Sequence, residues 1–321
     1  MSGVTITAGW SFSGGITITE APLLENTGAW FGGGRPGPYS RVDRITYATD
    51  TVTASVRGPL SATNRYLAAS GNTTDGWFGG GQVPAPGSPG VLSRVDRITY
   101  ATDTATASVR GPLSLARYYL AAAGNTTDGW FIGGQTGVAG DVSTVDRITF
   151  ATDTDTASVR GPISLARTEL AAAGNTTDAW FVGQPGYNST VNRITFATDT
   201  ATSTVRGPLS LARITLAATG NSDYGWFTGG AAPPAPYGRS RVDRITYATD
   251  TATASVRGPL SSSIYGHAAA GNSTDGWFGG GGPGALSRVA RITWATDTVT
   301  ASNRGPLSLA RNYMGAAGGI Q

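Results

Sequence analysis

Six Trp-Phe pairs punctuate this chain: Trp30-Phe31, Trp77-Phe78, Trp130-Phe131, Trp180-Phe181, Trp226-Phe227 and Trp277-Phe278, spaced 47, 53, 50, 46 and 51 residues apart. After a variable gap each pair is followed by Arg-Ile-Thr-aromatic-Ala-Thr-Asp-Thr and then by Arg-Gly-Pro. A period near 50 means that one small unit, stacked on copies of itself, makes the whole fold. The repeat covers nearly all of the 321 residues, so the reading is one large domain over residues 26–321, preceded by an arm of residues 1–25.

One unit, residues 117–160, resolves into four short strands. Arg117 to Gly124 ends in small residues and reads as the first; Asn125-Thr-Thr-Asp128 turns, and Gly129-Trp-Phe-Ile-Gly-Gly134 is the second. A Gly-rich variable loop leads to Val145-Asp-Arg-Ile-Thr-Phe150, and Ala151-Thr-Asp-Thr154 turns into Thr156-Ala-Ser-Val-Arg160. Four antiparallel strands at this period describe a propeller blade. Adjacent residues of a strand face opposite sides, so Trp and Phe need apolar cover on both, which neighbouring blades supply. The Ala-Ala-Ala-Gly run suits the innermost strand, where blades converge.

The ends complement each other. Arg311-Asn-Tyr-Met-Gly-Ala-Ala-Gly318 is an innermost strand with no second strand after it, and Asn26 to Phe31 is a second strand with no innermost strand before it. The expected fold is therefore all-β: a six-bladed propeller, four antiparallel strands per blade, closed by pairing the C-terminal strand with the N-terminal blade.

Composition narrows the function classes. All 23 basic residues are Arg and none is Lys; the net charge is +3. Sixteen of these Arg recur at repeat positions, so they read as framework matched by the equally repeated Asp, and no basic cluster with interleaved aromatics marks a nucleic-acid site. There is no Cys, hence no thiolate chemistry, and one His, His267, which occupies the column of Leu67, Leu120, Leu170, Leu216 and Met314 and reads as a core residue. The Asn-Thr-Thr-Asp and Ala-Thr-Asp-Thr runs supply one carboxylate each, too few for calcium, and read as turn chemistry. No cofactor, no metal and no catalytic constellation is expected. The start of the chain has neither a basic leader nor a continuous apolar stretch, so no secretion signal and no membrane insertion are expected.

The chain resembles the kelch-repeat family. The resemblance rests on the Arg that opens the innermost strand, Gly133-Gly134 closing the second, the aromatic-to-Asp stretch from Tyr100 to Asp103, and Gly-Pro-Leu-Ser before the next Arg; it spans about residues 26–318. The Trp usual in the third-to-fourth strand region is missing, with Ala107 or Ser108 there instead. Such propellers mostly bind partners through loops on one face. The Gly/Ile/Thr-rich segment with Val4, Ile6, Trp10, Ile16 and Ile18 more weakly resembles the opening of tailed-bacteriophage, cyanophage-type virion proteins, and it reads either as an edge-covering hairpin or as a docking arm onto other assembly proteins.

Comparison of the six copies places the variation in the second-to-third strand loops, whose tips offer Arg35, Tyr39, Tyr187, Tyr237 and Arg239. Pro limits the entropy of these loops and Tyr gives contact area at low ordering cost. The expected function is a non-enzymatic virion structural or attachment protein, made in the host cytoplasm, that meets a host protein or glycan through this face. The alternative is a soluble or surface carbohydrate-binding or adhesion module outside a virion.

Overall fold

A computed structural model of the chain describes residues 27–37, 39–83, 90–137, 140–183, 186–235 and 237–318. The docking-arm residues Val4, Ile6, Trp10, Ile16 and Ile18 lie outside the described residues.

Six four-stranded antiparallel sheets form a closed ring, a six-bladed β-propeller. From centre to rim, blade 1 consists of Gly315–Gly318, Gly28–Gly32, Val42–Thr46 and Ser55–Arg57, so the C-terminal strand completes the N-terminal blade. In that seam Trp30 is opposite Ala317 and Phe31 opposite Ala316. Blades 2 to 6 follow in chain order, with innermost strands Ala68–Gly71, Ala121–Gly124, Ala171–Gly174, Ala217–Gly220 and Ala268–Gly271. No helix among the described residues is long and apolar enough to cross a membrane.

Each Trp-Phe pair is covered on both faces, as the alternation of a strand requires. Six apolar clusters fill the six blade interfaces. Between blades 1 and 2, Trp30 and Val42 meet Phe78 and Ile98; between blades 6 and 1, Trp277 and Val289 meet Phe31 and Ile45. Trp thus faces the following blade and Phe the preceding one.

A polar clasp repeats at every interface. The Trp30 indole lies 3.8 Å from the Tyr100 ring and donates its Nε1–H to Asp103 Oδ2 at 2.8 Å. The same carboxylate accepts from Arg44 at 3.2 Å and forms an ion pair with Arg57 at 3.4 Å, so one Asp of blade 2 gathers the indole and two guanidinium groups of blade 1. Across the seam the arrangement is the same: Trp277, Arg291 and Arg304 converge on Asp50. The repeated Arg and the repeated Asp are framework, as their periodicity implies. The Ala-Thr-Asp turn that carries this carboxylate is a single 3-10 turn, for example Tyr100–Thr102.

The glycine of Arg-Gly-Pro is dictated by this closeness. A Cβ on Gly58 would stand 1.9 Å from the carbonyl oxygen of Ala105 in the next blade. The Asn-Thr-Thr-Asp runs are Asx turns: Asn125 Oδ1 accepts from the backbone N–H groups of Thr127 and Asp128, both at 2.9 Å.

One sequence expectation is corrected. The stretch from Arg117 to Gly124 is not a strand throughout; ladder pairing covers Ala121–Gly124, while Tyr119 adopts a left-handed backbone with φ 56°. The reason is tertiary, and it shapes the centre of the molecule.

Candidate binding face around the central channel

Six equivalent residues, one ahead of each innermost strand, are left-handed: Tyr66, Tyr119, Glu169, Thr215 and Tyr313 have φ between 53° and 59°, and Gly266 has φ 62°. Non-glycine residues rarely adopt this region, so a specific force must hold them there. At four of the six positions it is a chain of hydrogen bonds running part-way around the ring. The N–H of Tyr119 donates to the carbonyl of Tyr66 at 2.9 Å, Tyr66 to Tyr313 at 3.0 Å, Tyr313 to Gly266 at 2.6 Å, and Gly266 to Thr215 at 2.8 Å. At these four positions the left-handed turn aims the N–H at the preceding blade instead of along its own strand; in blade 4 the N–H of Leu170, next to Glu169, donates to the Tyr119 carbonyl at 3.4 Å.

The strand order puts the loops between second and third strands on the same face as the connections that enter the innermost strands. The ring of left-handed residues therefore rims the channel on the loop face. Behind it the channel is lined by Leu67, Leu120, Leu170, Leu216, His267 and Met314, and deeper by Ala and Gly. The mouth encloses a cavity of about 70 Å³.

Three tyrosines crowd one side of the mouth. Ring centroids lie 4.2 Å apart for Tyr66 and Tyr119, 4.9 Å for Tyr66 and Tyr313, and 5.7 Å for Tyr119 and Tyr313. Gly266 has no room for a side chain, because a Cβ there would stand 2.8 Å from the Tyr313 ring. Burial pushes the Tyr119 and Tyr313 hydroxyls to raised pKa, and the negative charge of Glu169 adds to both shifts. Glu169 is itself raised, first by burial and then by Asp141. It is the only glutamate among the described residues, and its carboxylate makes no hydrogen bond or ion pair among them.

The loop residues singled out by sequence do not form one cluster. Arg35 turns inward: its guanidinium donates to the Tyr66 hydroxyl at 2.6 Å and lies 5.6 Å from the Tyr66 ring and 5.8 Å from that of Tyr313. Tyr39 is half-buried and bridges to Asn64. Tyr187 is half-buried at a left-handed turn of its own loop, with φ 60°. Tyr237 is exposed, and Arg239 folds onto its own loop, donating to the carbonyl of Pro234 at 2.8 Å. A second recess, of about 290 Å³, opens beside the mouth between Arg35, Tyr265, Asn312 and Tyr313.

The ring itself is absent from the sequence-derived candidates, yet the copies carry a signal for it. The two residues between the opening Arg and the Leu column read Arg65-Tyr66, Tyr118-Tyr119, Thr168-Glu169, Ile214-Thr215, Tyr265-Gly266 and Asn312-Tyr313. They vary in every copy, inside a repeat whose flanking columns are nearly constant.

His267 is buried in its Leu column. The Thr228 hydroxyl donates to the Ala217 carbonyl at 3.2 Å and so accepts from His267 Nε2–H at 2.9 Å. Burial, with the charge of Arg213, holds the imidazole neutral with a pKa of about 3.

No protein-family model matches this chain, and no curated protein matches it. Among solved structures it is similar to one described as "Structure of YjhT", with a TM-score of 0.68 at 13% identity, covering 88% of this chain and 99% of that one. The likeness is one of fold. At this identity it assigns no site and no activity.

Proposed function

We propose that this chain is a non-enzymatic, kelch-like binding module that engages a partner with its loop face, centred on the channel mouth. One observation carries the reading: the clasp of Trp, Arg and Asp is the same at all six interfaces, whereas the mouth ring and the loops around it differ from blade to blade. Repetition on the interior with divergence on one face is the pattern expected of a rigid frame that presents a recognition surface. The non-enzymatic reading is supported by how the candidate groups are used. Six Asp serve the clasps, and the single histidine is buried and neutral.

A protein partner fits the mouth better than a buried sugar. A cavity that admits benzene measures about 150 Å³, twice the roughly 70 Å³ available here. For the setting we propose display on a tailed-phage virion, on the strength of the Gly/Ile/Thr-rich leading segment. The test is cross-linking of the protein in its native assembly, identification of the neighbour, and titration of that neighbour with the wild type and the Tyr187→Ala/Tyr237→Ala double variant. A loss of at least tenfold in affinity is expected. Unchanged affinity overturns the loop face as the binding surface, and absence of the protein from purified particles overturns the setting.

A further inference from the structure

We infer that the channel mouth is a receptor for a primary ammonium group, held by the Glu169 carboxylate against the rings of Tyr119, Tyr313 and Tyr66. The inference rests on the loop face being the binding surface and adds the chemistry of what enters it.

Four observations converge. The first is charge without a partner. Glu169 is half-buried, makes no ion pair among the described residues, and the charge that acts on it, that of Asp141, is also negative. Its carboxylate oxygens stay within reach of water and so of a solute, burial of the side chain disfavours the charged form, and no described arginine pairs with it.

The second is the aromatic wall. The face of an aromatic ring attracts cations, and a carboxylate beside it adds to that attraction. The cluster already holds two cations on its outer side. Arg35 stands 5.6 Å from the Tyr66 centroid and Arg65 stands 5.2 Å from it. Both are tied down, Arg35 to the Tyr66 hydroxyl and Arg65 to Gln82 Oε1. The inner side, where Glu169 lies, carries no such occupant.

Size is the third. The recess at the mouth is about 70 Å³, under half of a cavity that admits benzene at about 150 Å³. That suits an ammonium with its adjoining methylenes, and is small for a pyranose or an aromatic ring. Fourth, the sequence holds no lysine, so no lysine side chain of this chain or of a second copy can fill the site. Apart from the α-amino terminus, this chain has no primary ammonium to offer, and the source proposed is a different molecule, either the lysine of a partner protein or a free alkylamine.

The experiment titrates the full-length protein by calorimetry at constant ionic strength. Probes are N-acetyl-lysine N-methylamide, n-butylammonium chloride and 1-pentanol, the last an uncharged amphiphile one heavy atom longer than the butylamine. Variants are Glu169→Gln and Glu169→Thr. The second copies Thr215, which occupies the equivalent left-handed position in blade 5, so it is compatible with the fold; melting temperatures check both. Saturable binding of an amine is expected, with pentanol at least tenfold weaker and both variants at least tenfold weaker for the amine.

Binding of the lysine amide as tight as that of butylammonium identifies a partner side chain as the source; binding of butylammonium alone identifies a free amine. Equal binding of pentanol, no saturable binding of either amine, or unaltered affinity in both folded variants overturns the inference. The two readings fail separately. A partner whose affinity depends on Tyr237 but not on Glu169 removes the ammonium site and leaves the loop face. Amine binding that needs Glu169, with a partner indifferent to Tyr187 and Tyr237, keeps the mouth site and removes the outer loops from the partner's footprint.

Discussion

Blades 1, 3 and 5 differ from blades 2, 4 and 6 at one buried pair of positions, and the difference separates what the propeller needs from what it tolerates. In the odd blades a fully buried Arg at the entry to the innermost strand meets a fully buried Asp on the third strand: Arg311 with Asp43 at 2.8 Å, Arg117 with Asp146 at 2.8 Å, and Arg213 with Asp243 at 2.5 Å. Each Arg also donates to the carbonyls at the base of the second-to-third strand loop, as Arg117 does to Gly133 at 2.9 Å and Thr144 at 2.6 Å. Each Asp reaches back to the serine of the connection from the preceding blade: Ser308, Ser114 and Ser210. One ion pair thus fixes both the loop and the entry to the blade.

The even blades break the pair in three ways. Blade 2 keeps Asp96 but has Asn64 in place of Arg; the amide bonds the Gly80 carbonyl and receives the Gln82 N–H, and burial pushes the Asp96 carboxyl up. Blade 4 keeps Arg167 but has Asn192, which turns to Ser164 and Ser203. In blade 6 both charges are gone, replaced by Ile264 and Ala290 in the apolar cluster. All six blades have the same strand order. A buried ion pair at this place is one solution of several, in keeping with the rule that desolvation consumes much of the Coulomb attraction.

The largest expected effect therefore comes from half of a complete pair. Arg213→Met leaves the buried Asp243 carboxylate with Ser210 and a 3.7 Å contact to the half-buried Arg241, and is expected to cost about 3–5 kcal/mol, measured by denaturant unfolding. Replacing both partners as blade 6 does, Arg213→Ile with Asp243→Ala, is expected to recover most of that loss. A double variant as unstable as the single one would mean that the loop-base hydrogen bonds, and not the stranded charge, dominate.

Blade 6 has no charge at the pair positions but does carry His267, which makes it the pH-sensitive blade. The folded pKa, about 3, is depressed below the usual value near 6.5. The unfolded chain therefore binds the additional proton, and stability falls as pH drops from about 6.5 toward 3. Between pH 7 and pH 5 the loss amounts to about 2 kcal/mol. His267→Leu, which restores the residue of most other blades, is expected to remove this part of the acid sensitivity. An identical pH profile in the variant would show that the imidazole charges by local opening without unfolding the ring.

Much of this frame is legible in the sequence. The Trp-Phe alternation demands cover on both faces, the complementary ends demand closure, and Arg and Asp columns of equal period demand each other. Even the broken pairs can be read by aligning residues 64, 117, 167, 213, 264 and 311 with 96, 146, 192, 243, 290 and 43. The mouth is less legible. Tyr119 sits in a run that reads as strand, and only the carbonyl of Tyr66, one blade away, turns it left-handed. Arg35 reads as a loop tip because its sequence neighbours are Gly and Pro, whereas its position is set by Tyr66 and Tyr313, 31 and 278 residues away. Contacts between blades decide both, and local pattern does not carry them.

The smallest expected effect is the most discriminating. Arg167 is buried, somewhat less completely than its odd-blade counterparts, but faces no carboxylate; its one described side-chain bond is to the Thr190 carbonyl at 3.1 Å. Burial lowers its pKa with no carboxylate to oppose the shift, whereas for Arg117 the charge of Asp146 pulls the other way. Arg167→Met leaves no stranded acid behind and removes a cation whose desolvation is uncompensated. The expected change is within about 1 kcal/mol of wild type, in either direction, against the several kcal/mol of Arg213→Met. If the two substitutions cost the same, the arginine's value lies in packing its stem and tying the loop base, and the contrast between odd and even blades carries no electrostatic meaning.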